Sequence, residues 1–102
     1  MFAVAAALDL LGPAEGDALV LTGGGGRSVA VRRLLADVTG RPVRFVHVRS
    51  ASAAGAAVLA ARGVGEELVP ERALEAVVEP RPVPALAAAR ERWRSLAQEW
   101  NR

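Results

Sequence analysis

The sequence predicts an α/β fold with two parallel strands and about four to five helices. Three observations carry this. Residues 19–22, Leu-Val-Leu-Thr, form a short apolar strand that runs directly into four glycines. A helix and a second apolar run at 43–48 follow the glycines, and two strands joined through a helix pack parallel. An alanine-rich helix then leaves the second strand at 50–62.

Taken in order, residues 2–11 read as a helix stopped by Gly12 and Pro13. Their apolar side chains lie nearly all round, the pattern of a buried helix. Residues 13–17 read as a turn. The strand at 19–22 is apolar throughout, as expected for a parallel strand covered on both faces. The loop Gly23-Gly24-Gly25-Gly26-Arg27-Ser28 follows. Ser28 is the expected N-cap of a helix over 29–39, closed by Gly40. Val31, Leu34, Leu35 and Val38 form its apolar stripe, with Arg32, Arg33 and Asp37 largely on the other side. In the second strand Val43, Phe45 and His47 are placed on one face, and Arg44, Val46 and Val48 on the other. Ser50 or Ser52 caps the third helix, whose Ala53-Ala54-Gly55-Ala56-Ala57 surface permits close approach of a neighbour. Residues 70–78 read as a short helix with Pro70 in its first turn. Pro80, Pro82 and Pro84 form a stiff extended linker. The final helix, 85–100, puts Leu86, Ala89, Trp93, Leu96 and Trp100 on one face. The organisation expected is a main unit over 1–65 and a tail over 66–102.

Composition excludes several classes. At 102 residues the chain holds one small domain at most. There are no cysteines, so no disulfide framework or thiolate metal site is available. His47 is the single histidine and builds no metal site alone. All thirteen basic residues are arginine, yet the net charge is only +2 and no aromatic platform accompanies it, which argues against nucleic-acid binding. No apolar run approaches the roughly 20 residues of a membrane span. The apolar start lacks a basic leader and is interrupted by Asp9, which argues against a signal peptide. A soluble cytoplasmic protein is expected.

A strand running through glycines into a helix brings backbone N–H groups and a positive helix end together, which favours an anion, above all a phosphate. Three motifs compete for the loop. The P-loop fails, because Leu21 stands where its first glycine is required and Arg27 replaces its lysine. The dinucleotide fingerprint places Gly23 and Gly25 well, but Ser28 stands at its third glycine and no acidic residue ends the second strand. Arg49 near that strand end leaves an NADP reading open.

The third motif extends over three blocks. Residues 21–28, Leu-Thr-Gly-Gly-Gly-Gly-Arg-Ser, are followed by Leu-Leu-Ala-Asp-Val-Thr-Gly-Arg-Pro-Val at 34–43 and Ser-Ala-Ala-Gly-Ala-Ala at 52–57. This succession resembles the carboxy-terminal domain of the FGGY family of carbohydrate kinases, and most of all its xylulokinase branch. The resemblance covers about 2–65. It departs at Gly26, where the family usually has alanine, at Ser50, where it often has glutamate, and at Ala54, where it has leucine. Glycine at 26 is expected to leave the loop freer.

The resemblance implies an actin-like, ribonuclease H-like ATPase domain that holds ATP with Mg²⁺ and serves transfer of the γ-phosphoryl to a sugar or polyol hydroxyl. It implies nucleotide contacts from Gly23, Gly24, Gly25, Gly26, Arg27 and Ser28. Gly24, Gly25 and Gly26 would border the ribose and α-phosphate, Ser28 would touch the nucleotide near the helix N-terminus, and Arg27 would stand at the rim. Glycines suit this because any Cβ holds the backbone off a ligand. No catalytic or metal-binding residue is assigned. Asp9, Asp17 and Asp37 all lie outside the context of the family's catalytic base, and the family's sugar site and amino-terminal Asp-Gly-Thr segment are not found. The chain is therefore expected to be the tail of a kinase and incompetent alone, depending on a missing amino-terminal domain. Half of a split kinase, or a non-catalytic module that binds nucleotide or a protein partner, are the alternatives.

Two parallel strands alone leave unpaired backbone at the sheet edge, so self-association of the isolated chain is expected. Light scattering after size exclusion checks this; a monodisperse monomer with a cooperative melt is the contrary outcome.

Overall fold

The computed structural model describes residues 1–12 and 18–101. The turn read at 13–17, with Asp17, lies outside the described residues. Four α-helices surround a three-stranded sheet in the order α1 (Phe2–Leu10), β1 (Leu19–Leu21), α2 (Val29–Thr39), β2 (Val43–Val48), α3 (Ala51–Gly63), β3 (Arg72–Leu74) and α4 (Pro84–Trp100). A 3₁₀ turn over Gly24–Arg27 fills the link between β1 and α2.

The sheet order is β1-β2-β3. As expected, β1 and β2 are parallel, with Leu19 opposite Val43 and Leu21 opposite Phe45. The third strand is a correction: the segment read as a helix over 70–78 is extended. β3 runs antiparallel to β2, with Val46 opposite Leu74 and Val48 opposite Arg72. Pairing resumes at Val78, which exchanges backbone hydrogen bonds of 2.9 and 2.7 Å with Val43. The premise that no further strand is available is therefore wrong, and β2 is paired on both sides. β3 itself is exposed at all three positions. Backbone pairing holds it, and its side chains carry no burial period to read.

The core is small. Leu35 and Ala36 of α2 and Val43 of β2 pack together, with Leu19, Leu21 and Val78 against them. Val38, Phe45 and Val46 are also buried. The α2 stripe departs from expectation at two places: Leu34 is 39% exposed, and Arg32 is buried. Gly40 ends α2 in the left-handed region at φ 68°, and its N–H reaches the Ala36 carbonyl.

Covering is one-sided. Val20 is 71% exposed, so β1 is not buried on both faces. In α1 only Ala5 is buried, and Leu10 and Leu11 stand in the open, against the expectation of an all-round buried helix. α3 buries none of its residues. Trp93 packs on Phe2, ring centroids 6.2 Å apart, while Trp100 remains exposed. No helix among the described residues is long and apolar enough to cross a membrane.

Residues 79–101 are tied to the body by polar contacts. Asp37 accepts from the Arg81 backbone N–H at 2.8 Å and from Arg81 Nη2 at 2.9 Å. Arg90 donates to the Val38 carbonyl at 3.2 Å and to Asp9 Oδ2 at 2.6 Å. The hydrogen bonds from the Arg81 side chain and backbone hold the Asp37 carboxyl below its ordinary pKa. A carboxyl whose pKa is depressed on folding stabilises above its unfolded value and loses that contribution as pH falls through the folded one. The urea midpoint is expected to drop on acidification below about pH 3.9, and Asp37→Asn is expected to flatten that drop. Equal acid slopes for the two proteins would contradict this role for Asp37.

Candidate functional site

The carboxyl end of the parallel strand pair is where open α/β sheets place ligands, and a cavity of about 460 Å³ lies there. Gly23, Gly24 and Arg27 line one side. Phe45, His47, Val48 and Arg49 line it from β2 and the residue after, and Ser50 and Ala51 from the start of α3. Ser50 is a non-glycine residue in the left-handed region, at φ 50°. It occupies the N-cap position of α3 without a side-chain capping bond, so capping at this helix is positional only.

The six residues singled out in the sequence do separate things. Gly23 adopts φ 92°, a conformation that L side chains rarely enter, and this makes glycine necessary where β1 turns into the loop. A Cβ at Gly23, Gly24 or Gly25 would have no atom within 4 Å, so the backbone here faces open space that a guest can enter. Gly24 continues the cavity wall, while Gly25 is not among the lining residues. Gly26 points inward: a Cβ there would lie 2.8 Å from Leu21 Cγ and from Phe45 Cε2. The expectation that glycine at 26 leaves the loop freer is therefore corrected, because this residue is buried and packed. Arg27 stands exposed at the cavity wall. Ser28 caps α2 as expected, its Oγ accepting from the Val31 N–H at 3.4 Å.

Beneath the loop lies a group the sequence did not single out. Arg32 Nε donates to the Gly26 carbonyl at 2.6 Å and Nη2 to the Arg27 carbonyl at 3.0 Å. Nη1 donates to Glu75 Oε2 at 2.6 Å. The guanidinium carbon stands 4.1 Å from the centroid of the Phe45 ring, a favourable placement of a cation over a ring face. The other Glu75 oxygen is hydrogen-bonded to His47 Nε2, and His47 meets Phe45 edge-on with centroids 4.6 Å apart. Hydrogen bonds from His47 and Arg32 hold the Glu75 carboxyl below its ordinary pKa, keeping it charged to lower pH. The available sequence signal for Arg32 was its position one helical turn after the Ser28 cap, on the side of the loop. Glu75 and His47 gave no such signal, since their meeting depends on β3.

Chemically, the cavity presents backbone and three side chains able to carry positive charge, Arg27, Arg49 and His47. That suits an anionic guest. No group of three or more histidine, aspartate or glutamate side chains able to hold a metal exists among the described residues.

The description "FGGY family of carbohydrate kinases, C-terminal domain" matches residues 1–64. The chain belongs to the FGGY family of carbohydrate kinases. Relatives of this FGGY chain include autoinducer-2 kinases from Enterobacter sp. (strain 638), 43% identical over 49 residues, and from Klebsiella pneumoniae, 45% identical over 49. One from Photorhabdus laumondii is likewise 45% identical. Each match covers 48% of this chain and 9% of the relative, so the FGGY chain spans about a tenth of those proteins. No solved structure matches it significantly. The α/β arrangement accords with the actin-like ATPase fold to which the FGGY carboxy-terminal domain belongs.

The packing of Gly26 gives a direct check. Gly26→Ala is expected to cost about 1–3 kcal/mol through overpacking against Leu21 and Phe45. Gly24→Ala, which meets open space, should stay within about 0.5 kcal/mol of the parent. Urea denaturation of both variants reads the difference, and equal stabilities would refute the inward role of Gly26.

Proposed function

We propose that this chain is the ATP-binding, carboxy-terminal portion of a sugar or polyol kinase. Its loop at 23–28 would hold the nucleotide whose γ-phosphoryl passes to a carbohydrate hydroxyl. The observation that carries this reading is the open backbone at Gly23, Gly24 and Gly25 beside the cavity, in a chain of this family. A nucleotide fits these residues: the glycine backbone admits close approach, and Arg27 and Arg49 supply positive charge for phosphate. ATP with Mg²⁺ would supply the phosphoryl group. Magnesium commonly rides on substrate phosphates, so the nucleotide itself would bring the ion to the loop. This chain's own contribution would be to orient the nucleotide, since phosphoryl transfer depends on positioning and charge stabilisation.

The acceptor is proposed to be a sugar of the xylulose type, on the resemblance of the loop and its flanking blocks. The names of the relatives add autoinducer-2 to the acceptors worth assaying. Neither a base nor an acceptor site is assigned among these residues, so the chain is proposed to act only together with an amino-terminal kinase domain. Arg49 in the cavity wall keeps NADP as a second reading, because an arginine near that strand end suits a 2′-phosphate.

Two measurements test this. Titration of the ¹⁵N-labelled chain with ADP is expected to shift amides of 23–28, with weaker shifts for NADP⁺. Shifts confined to other residues would remove the loop from the site, and a clear preference for NADP⁺ would favour the second reading. A coupled assay with xylulose, glycerol, ribulose, gluconate and autoinducer-2 is expected to give background rates for the isolated chain. Turnover abolished by Gly24→Val would show that the chain holds an acceptor site and base after all.

A further inference from the structure

Arg32 is the only charged residue among the described residues that is buried as a whole, at 5% exposure. Taking a guanidinium out of water costs several kcal/mol unless every donor finds a partner. Here Nε, Nη1 and Nη2 each make one hydrogen bond, three of the five N–H donors, and the Phe45 ring covers the face of the group. The planar fork of arginine suits three acceptors spread over two consecutive peptides and a carboxylate, a set that the point charge of lysine does not span.

The two peptide acceptors matter for the loop. In a trans peptide the C=O and the following N–H point in opposite directions. By drawing the Gly26 and Arg27 carbonyls toward the core, Arg32 turns the N–H groups of Arg27 and Ser28 away from it. The orientation of the loop's last two peptides is thus set by one side chain. That side chain is itself held by Glu75, and Glu75 also holds His47 in the cavity wall. Glu75 follows β3 directly, its own N–H donating to the Phe45 carbonyl at 3.0 Å. It lies beyond residues 1–64, the segment that matches the family.

We propose that Arg32 is a positioning residue for the nucleotide loop and that Glu75 locks it. The segment after residue 64 then tunes nucleotide affinity through the sheet without itself touching the nucleotide. This rests on the reading that residues 23–28 hold the nucleotide. Glu75 is half-exposed and stands outside the core cluster, so its replacement disturbs the fold less than replacement of Arg32; the Glu75 variants therefore carry the test and Arg32→Lys extends it.

The experiment measures solvent-exchange rates of the loop amides without ligand, the melting temperature, and ADP–Mg²⁺ affinity from amide shifts, all on the full chain. Glu75→Gln keeps one acceptor oxygen and Glu75→Ala none, so a graded response is expected. Loop amides should exchange roughly three-fold faster in Glu75→Gln and ten-fold faster in Glu75→Ala, beyond any change in the α3 amides, while the melting temperature falls in the same order because buried Arg32 loses a partner. The ADP dissociation constant should rise in the same order, by roughly three-fold and ten-fold. Arg32→Lys, if folded, should match or exceed Glu75→Ala. Uniform loosening of the whole chain would reduce the pair to a structural role and overturn the proposal. A wild-type loop that shifts with ADP yet is indifferent to Glu75→Ala would remove the lock alone. A loop that loosens in Glu75→Ala but is silent to ADP in the wild type would overturn the nucleotide reading, and the functional part of this proposal with it.

Discussion

A buried positive charge must be surrounded by acceptors or it unfolds what surrounds it. Arg32 imposes that constraint on this molecule. Its three hydrogen bonds and its stacking on Phe45 draw the glycine turn, β2 and the residue after β3 around one group contributed by α2. Removal of any one of these elements leaves the guanidinium short of a partner. The arrangement also explains the inward glycine: with Leu21 and Phe45 filling the space below the turn, residue 26 has no room for a side chain if its carbonyl is to reach Arg32.

The mixed sheet follows from the same economy. A parallel pair feeds the loop and sets both strand ends toward the cavity, while an antiparallel third strand needs only backbone pairing to bring a carboxylate beneath it. β3 is short, exposed and poor in β-branched residues, and its partner in the sheet is β2. The cavity wall is accordingly assembled from the loop, the end of β2 and the start of α3, with support from residues far along the chain.

Much of this was legible in the sequence. The loop, the Ser28 cap, the Gly40 stop and the alternation around Phe45 are local signals, and α2, β2, α3 and α4 lie close to where those signals placed them. β3 was not legible, because Pro70 and Glu71 imitate the opening of a helix and three exposed residues carry no period. Arg32 was misread because a helical stripe sorts residues by polarity, and its acceptors lie in the loop and at Glu75, outside its own helix. The all-round apolar pattern of α1 records what that helix favours burying; it does not say what covers it, and Leu10 and Leu11 remain exposed. Within the candidate set at 23–28, Gly23 also answers to backbone conformation, Gly26 to packing and Ser28 to capping, and only the last of these was legible as such.

The ion pair between Asp9 of α1 and Arg90 of α4 spans 81 residues of chain, against 43 for Arg32 and Glu75. Closure entropy grows with the logarithm of the span, and the Asp9 carboxylate is mostly exposed while Arg90 is half-buried, so solvent screens the pair from one side. The seam between the first and last helices also carries the Phe2–Trp93 ring pair, and Arg90 also ties α4 to the Val38 carbonyl of α2, so its closure joins the two ends of the chain through α2 as well as directly. Because the sheet and the arginine clamp are joined over shorter spans, their formation shortens the loop that this seam has to close.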